Sequence, residues 1–142
     1  MSEIITVFTD GGSRGNPGPS ACAFISYNAQ GAIQEKRGKY IGFCTNNNAE
    51  YQGVIMALDY LVQFKKTLKR DLIIVNFYID SRLVVSQLNG LFKVKDAGIR
   101  ILIAKIREKE NELSVPIRYN IIPREKNYLA DNLVNQTLDR MC

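Results

Sequence analysis

The sequence predicts an α/β fold in which a mixed sheet of five strands carries helices on both faces. Three segments rich in β-branched and aromatic residues come first, and such residues are typical of strands. A nearly continuous apolar run at residues 72–79 is typical of a parallel strand that is covered on both faces. Helical periodicity precedes and follows that run. We expect residues 1–142 to form a single domain, since no repeat or linker divides them.

The first half of the chain predicts three strands and a helix. The strands are expected at residues 3–9, 20–28 and 32–42. A turn-like segment at residues 28–31 separates the second strand from the third, which indicates an antiparallel meander. Residues 46–66 then carry apolar side chains at the spacing of an amphipathic helix.

The second half alternates between strands and helices. The apolar run at 72–79 is interrupted only by Asn76 and is predicted to be the central strand. The remaining predicted elements are helices at 82–90 and 97–112, a strand at 116–122 and a helix at 124–141.

Composition narrows the class of protein. Nineteen basic residues against 14 acidic ones give a net charge of +5, which points weakly to a polyanionic partner. The sequence has no apolar stretch long enough to span a membrane, and its beginning does not resemble an export signal, so we expect a cytoplasmic protein. Three cysteines (Cys22, Cys44 and Cys142) and no histidine argue against zinc and against a disulfide framework.

Two aspartates end predicted strands. Asp10 follows the first strand and Asp80 follows the apolar run. Each has an ordinary alternative explanation, because aspartate also starts turns and caps helices. If the two strands are parallel neighbours, however, both carboxylates emerge at the edge where open α/β sheets build their ligand sites.

Two further carboxylates lie on predicted helices. Glu50 stands in line with the apolar positions Val54 and Leu58, although it could also complete a capping box with Asn47. Asp131 borders the apolar stripe of the last helix, where a solvated charge is the ordinary interpretation. Clustered carboxylates repel one another unless a cation joins them, and Mg²⁺ prefers such hard oxygen ligands. A pair of these ions supports phosphodiester hydrolysis without histidine or cysteine.

Four segments resemble type 1 ribonuclease H in the order of that family. Thr9-Asp10-Gly11-Gly12-Ser13-Arg14-Gly15-Asn16-Pro17-Gly18-Pro19 is similar to its first signature. Thr45-Asn46-Asn47-Asn48-Ala49-Glu50-Tyr51 resembles its helix start, and Tyr78-Ile79-Asp80-Ser81 resembles its strand-ending Asp-Ser. Pro123-Arg124-Glu125-Lys126-Asn127 through Ala130-Asp131 resembles the entry to its final helix. The resemblance covers the chain nearly end to end.

This resemblance implies a fold, an activity and a set of roles. The fold is the ribonuclease H-like five-stranded sheet of order 3-2-1-4-5, with strand 2 antiparallel to the rest. The activity is endonucleolytic hydrolysis of the RNA strand of RNA–DNA hybrids, which leaves 5′-phosphate and 3′-hydroxyl ends. Two Mg²⁺ ions, or Mn²⁺ as a substitute, serve each active site, and the expected protein is a monomer. The implied metal-binding and catalytic residues are Asp10, Glu50, Asp80 and Asp131.

The resemblance also implies contacts with the substrate. The Gly15-Asn16 loop and Asn46 are expected to contact 2′-hydroxyls of the RNA strand, the group that distinguishes RNA from DNA. Thr45 is expected to hold a phosphate of the DNA strand. Glycines such as Gly11 and Gly12 let the backbone come close to a ligand, although a glycine-rich turn is an alternative explanation.

The sequence departs from the family pattern in two places. The family often has a histidine before the last aspartate that is thought to help product departure, and here Arg124 or Glu125 occupies that neighbourhood. The chain also lacks the tryptophans and the basic insertion with which some members grip the hybrid. Lys93 and Lys95, beside Phe92, could substitute, or could be ordinary loop residues.

Two other functions are compatible with the same fold. One is a hybrid- or RNA-binding module without catalysis, although a pure binder gains nothing from clustered carboxylates facing phosphates. The other is a relative with different phosphoryl-transfer chemistry, such as a resolvase or a reverse transcriptase fragment. The basic residues outside the motifs are either solvated or part of a phosphate track: Lys36, Arg37, Lys39, Lys65, Lys66, Lys69 and Arg70.

Overall fold

The computed structural model describes residues 2–68 and 71–141, and within them five strands form one mixed sheet. The strands are β1 (Ser2–Ser13), β2 (Gly18–Tyr27), β3 (Ile33–Cys44), β4 (Asp71–Ile79) and β5 (Ile117–Ile121). Their order is β3-β2-β1-β4-β5. β2 is antiparallel to both of its neighbours, whereas β4 is parallel to β1 and to β5. The expected topology is therefore confirmed.

Four helices cover the two faces of this sheet. They are α1 (Asn46–Thr67), α2 (Arg82–Leu88), α3 (Ala97–Leu113) and α4 (Tyr128–Met141). Strand β2 shows how the faces differ, because its side chains alternate between them. Cys22 and Phe24 belong to the large apolar cluster that includes residues of α1, α2 and α3. Ala21 and Ala23 pack instead against α4, where they form a smaller cluster.

Strand β4 was predicted to be central, but the middle strand of the sheet is β1, and β4 is an interior strand next to the edge. It lies between β1 and β5. Val75, Phe77 and Ile79 are fully buried and belong to the large apolar cluster. Its carboxyl end is therefore held rigidly by packing.

Two predicted boundaries are wrong by more than two residues, and both lie beside candidate site residues. Strand β1 does not end at residue 9, because residues 10–13 continue the antiparallel pairing with β2. The last helix does not begin at Arg124, since Arg124–Lys126 is a single 3-10 turn and α4 starts at Tyr128. The break falls at Asn127, whose side chain points inward and is 1% exposed.

The described residues include two of the three cysteines. Cys22 and Cys44 are both free thiols, whereas Cys142 lies outside the described residues. Burial raises the pKa of the Cys22 thiol to about 12, so this group is unreactive at neutral pH. No helix in the described ranges is both long enough and apolar enough to cross a membrane.

Candidate active site

Asp10 and Asp80 lie just beyond the point where two parallel strands stop pairing. The last residue pair of the β1–β4 ladder is Phe8 with Tyr78; Asp10 follows two residues later within β1, and Asp80 comes directly after the end of β4. Side chains two apart on a strand point to the same face. Both carboxylates therefore emerge on the same face and at the same end of the sheet. Asp80 does not cap α2, because the hydroxyl of Ser81 accepts the hydrogen bond from the Val84 backbone N–H.

Close packing of α1 on β1 brings the third carboxylate, Glu50, to the same place. Gly11 is buried, and a Cβ atom there would lie 2.5 Å from the Glu50 backbone nitrogen and overlap the Ala49 carbonyl. Gly53 approaches from the other side, where a Cβ atom would lie 2.8 Å from the Asp10 carbonyl oxygen. Two glycines thus allow the first turns of the helix to contact the strand that carries Asp10.

The capping-box alternative for Glu50 required Asn47 to cap α1, but a different residue caps this helix. Thr45 is the N-cap of α1, and its Oγ1 accepts a hydrogen bond of 3.1 Å from the Asn48 backbone N–H. Asn47 lies within the helix. Glu50 is therefore not the reciprocal acid of a box that begins at Asn47, and its carboxylate is available to the cluster.

Asp10, Glu50 and Asp80 form one cluster. Each offers a carboxylate oxygen, and these three oxygens lie within 4.8 Å of one another. The Oε2 atom of Glu50 is buried and receives no hydrogen bond from any described residue. A buried carboxylate oxygen without a partner is costly unless a cation or a proton satisfies it. Three hard oxygen donors with one unsatisfied atom fit a divalent cation such as Mg²⁺.

The pKa values in the cluster report the same repulsion. Burial, followed by the negative charge of Asp80, raises the pKa of Asp10 to about 7. Burial, followed by the charges of Asp10 and Asp80, raises the pKa of Glu50 well above its usual range, and the nearby Arg124 partly opposes this rise. A hydrogen bond between the two carboxyl groups lowers the pKa of Asp10 and raises that of Glu50. Without a cation, the cluster therefore retains a proton near neutral pH.

Asp131 and Arg124 lie beside this cluster. Both line a cleft of about 120 Å³ together with Asp10 and Asn46. The charge of Asp131 contributes to the raised pKa of Asp10, but Asp131 is not among the three carboxylates within 4.8 Å. Its role as a fourth metal ligand stays a prediction. Glu125 is exposed and is not among the residues that line this cleft.

A network of asparagines joins the loop after β1 to the start of α1. The Asn46 Oδ1 atom accepts a hydrogen bond of 2.8 Å from the Ser13 backbone N–H. The Asn46 backbone N–H in turn donates to Asn16 Oδ1 at 3.0 Å. Because both side-chain oxygens are used, the NH₂ groups are the parts of Asn16 and Asn46 that can donate to a ligand. Both residues are exposed, as is Gly15, which has a positive φ of 92° in the same loop.

The other expected substrate residues fall into three situations. Gly11 is buried against α1 and has a packing role, whereas a Cβ atom on Gly12 would make an ordinary contact with Val134 at 3.4 Å. Contact of either glycine with substrate stays a prediction. Thr45 is exposed and keeps its hydroxyl hydrogen available to donate, although its oxygen caps α1. Lys93 and Lys95 are exposed between α2 and α3, beside Phe92, whose relative exposure is 54%.

Two of the basic residues that were either solvated or part of a phosphate track contact other parts of the protein. The Arg37 guanidinium lies over the Phe24 ring at 5.6 Å and pairs with Glu35 at 2.7 Å. The Lys65 ammonium donates to the Leu113 carbonyl at 2.5 Å. These contacts favour a structural role for both. Lys69 and Arg70 lie outside the described residues.

Sequence reasoning did not single out Asp96, which shares a cavity with Thr45. This cavity has a volume of about 520 Å³, and Asn16 and Ile99 also line it. The Asp96 carboxylate caps α3 by accepting a hydrogen bond of 2.9 Å from the Ile99 backbone N–H. A carboxylate beside Thr45 opposes the binding of a phosphate there.

For the RNA–DNA hybrid that the family resemblance implies as substrate, we therefore expect Asp96→Asn to strengthen binding about two- to fivefold at low salt, because it removes a repulsion of about 0.5–1 kcal/mol. Asparagine caps helices as well as aspartate does, so the thermal stability should not change. Fluorescence anisotropy of a labelled hybrid with chelator present measures the affinity. The difference should fade as salt is added. Asp71→Asn, at the opposite end of β4, is the control, and equal affinities of the two variants at low salt would contradict the prediction.

Comparison with known proteins gives a consistent result. The family model for RNase H matches residues 2–118, which include Asp10, Glu50 and Asp80. A ribonuclease HI of Halobacterium salinarum is 33% identical over 138 residues, covering 95% of this chain and 64% of the relative. A bifunctional protein of Mycobacterium tuberculosis is 35% identical over 136 residues, covering 95% of this chain and 35% of the relative. The chain thus spans about two thirds of the length of the Halobacterium relative and about a third of the length of the Mycobacterium relative.

A solved structure is similar over nearly the whole chain. It is LC11-RNase H1 in complex with an RNA/DNA hybrid, with a TM-score of 0.90 and 38% identity. The similarity covers 96% of this chain and 98% of that one.

Proposed function

Because the chain belongs to the ribonuclease H family, we propose that it is an endoribonuclease that hydrolyses the RNA strand of RNA–DNA hybrids. The observation that carries the proposal is the convergence of the Asp10, Glu50 and Asp80 carboxylates within 4.8 Å of one another. The asparagine network that can recognise ribose hydroxyls adjoins them. The similarity to LC11-RNase H1, which was solved with a hybrid, supports this choice of substrate.

The proposed cofactor is a pair of Mg²⁺ ions, with Mn²⁺ as a substitute. Asp10, Glu50 and Asp80 would hold them, and Asp131 would complete the set from the adjoining cleft. When bound, such ions lower the pKa of the attacking water and stabilise the leaving oxygen. The products would carry 5′-phosphate and 3′-hydroxyl ends.

The other residues of the proposed site bind and orient the hybrid. The NH₂ groups of Asn16 and Asn46 would donate to sugar hydroxyls of the RNA strand, beside the backbone of Gly15. The Thr45 hydroxyl would donate to a DNA phosphate, and Lys93 and Lys95 would add positive charge at the exposed loop.

The place of the family histidine is best assigned to Arg124. Arg124 lines the carboxylate cleft, whereas Glu125 is exposed. An arginine stays charged and cannot move a proton, so it would act by attracting a phosphate oxygen during product departure.

We also propose that residues 1–142 act as one domain and as a monomer. Support comes from the two apolar clusters, which share one sheet, and from the carboxylates, which all come from one chain. A cytoplasmic location is proposed because Cys22 and Cys44 are thiols. Size-exclusion chromatography tests the oligomeric state.

A cleavage assay tests the proposed activity. Labelled RNA–DNA hybrid, double-stranded RNA and double-stranded DNA are incubated with the protein in Mg²⁺, Mn²⁺ or chelator. We expect the RNA of the hybrid to be cut with either metal and not with chelator. Binding of hybrid without any cutting in Mn²⁺ would favour the non-catalytic module, and preferential cutting of double-stranded DNA would favour a resolvase-like activity.

The raised pKa of Asp10 predicts how stability depends on pH and metal. The folded protein retains a proton on this carboxyl up to a pKa of about 7, against 3.8 in the unfolded chain. The free energy of unfolding of the metal-free protein should therefore fall as the pH rises through this window. A divalent cation replaces the proton, so Mn²⁺ should raise the melting temperature more at pH 8 than at pH 5.5. Calorimetry at both pH values checks this, and equal shifts at the two would contradict it.

A further inference from the structure

Asn127 is a buried polar residue directly behind the carboxylate cluster. It lies between the 3-10 turn and α4 and is 1% exposed. Its Nδ2 atom donates to the Thr9 carbonyl oxygen at 2.8 Å and to the Asp80 Oδ2 atom at 3.0 Å. Both amide hydrogens are therefore used, one on each of two neighbouring strands.

The two hydrogen bonds of Asn127 connect β1 to the residue after β4, beyond the point where the backbone pairing of these strands ends. The last parallel pair of β1 and β4 is Phe8 with Tyr78, and both acceptors lie just beyond it. The Asn127 side chain therefore joins β1 to the segment that follows β4, just past the end of their ladder and next to Asp10 and Asp80. The distance between these two segments sets the distance between the two carboxylates.

The orientation of the Asn127 amide follows from its surroundings. Exchanging its oxygen and nitrogen atoms would place an oxygen against two oxygen acceptors, which is repulsive. The Oδ1 atom of Asn127 is buried and receives no hydrogen bond from the described residues. A buried acceptor without a partner is destabilising.

We infer that Asn127 is a positioning residue that orients the Asp80 carboxylate for metal binding, an inference that rests on the proposed function. One oxygen of Asp80 is held by the Asn127 amide, so the other oxygen is presented to the cation. Partners of this kind orient metal ligands, and their removal typically weakens metal affinity or activity about 10- to 100-fold. Asn127 does not itself contact the substrate in this role.

The test compares Asn127→Ala with the parent and with Asn111→Ala. Asn111 is exposed on α3, and no side-chain hydrogen bond is formed by it within the described ranges, so its replacement is a matched control. Calorimetric titration with Mn²⁺ alone, without nucleic acid, gives the metal affinity, and hydrolysis of labelled hybrid at saturating Mn²⁺ gives kcat and KM. We expect Asn127→Ala to bind Mn²⁺ about 10- to 100-fold more weakly and to lower kcat, with KM changed less than about twofold. The control should match the parent in all three.

A second variant separates positioning from folding. Asn127→Leu keeps the branched arrangement of heavy atoms, although it is bulkier, and lacks the donor, so the folded variant should show the same loss as Asn127→Ala. Unchanged Mn²⁺ affinity and kcat in a folded variant would overturn the inference, as would a rise in KM alone. Failure of both variants to fold would also overturn it, because Asn127 would then be required by the fold. A parent protein that neither binds Mn²⁺ nor cuts hybrid would instead contradict the proposed function itself.

Discussion

Asp10→Asn should reduce cleavage of RNA–DNA hybrid by more than about 100-fold, since loss of a residue that merely supports a metal ligand already lowers activity about 10- to 100-fold. The amide keeps the shape of the side chain and removes its charge. Asp10 is 6% exposed and is one of the three carboxylates of the cluster, so its charge is removed from the proposed metal site itself. Initial rates on labelled hybrid in Mg²⁺ and in Mn²⁺ measure the effect.

The same variant should be more stable than the parent in the absence of metal. Its amide cannot repel Asp80 and Glu50, so the free energy of unfolding at pH 8 should rise by about 1–2 kcal/mol. Gain of stability with loss of activity would distinguish a metal site from misfolding. Asp59→Asn is the matched control, because Asp59 is exposed on α1 and forms only a surface ion pair with Lys109. Undiminished cutting by Asp10→Asn would show that the cluster is not the catalytic centre.

Gly11→Ala should strongly destabilise the fold and displace Glu50. The added methyl group would overlap the Ala49 carbonyl and lie 2.5 Å from the Glu50 backbone nitrogen. Neither contact is with a flexible side chain, so the strand and the helix must separate. We expect the free energy of unfolding to fall by about 3 kcal/mol or more. Urea unfolding followed by circular dichroism measures this loss.

The neighbouring glycine provides the comparison. A Cβ atom on Gly12 would meet Val134 at 3.4 Å, which is ordinary contact, and Gly12 has no positive φ. Gly12→Ala should therefore change the stability by less than about 1 kcal/mol. Equal urea midpoints for Gly11→Ala and Gly12→Ala would show that the close contact between α1 and β1 contributes little to the free energy of unfolding.

The order of elements could be predicted because the apolar patterns are strong. The apolar run at 72–79, interrupted only by Asn76, indicated a strand covered on both faces, and β4 is that strand, although in its described part only the face of Val75, Phe77 and Ile79 is fully buried. The boundaries were less accessible, because they depend on contacts between distant segments. Strand β1 continues past Asp10 because β2 pairs with residues 10–13. The helix break at Asn127 depends on two distant acceptors, the Thr9 carbonyl and the Asp80 carboxylate. Local propensity contains neither kind of information.

The carboxylates could be proposed from their places at element ends, but their environment could not. Asp10 was explicable as a turn residue and Asp80 as a helix cap until the β1–β4 ladder placed them side by side. Asp96 and Asn127 had no distinguishing pattern in the sequence. Asp96 becomes a candidate only because it shares a cavity with Thr45. Asn127 becomes one because its side chain donates to two oxygens of distant segments.

The three clustered acids come from two strands and a helix that lie far apart along the chain. Helix α1 can form from local contacts, but the cluster requires the nonlocal parallel pairing of β1 with β4. After denaturation, the return of the proposed nuclease activity would therefore report assembly of the whole tertiary structure, whereas the return of helical signal would not. The rate of hybrid cleavage would thus measure the late stage of refolding of this protein.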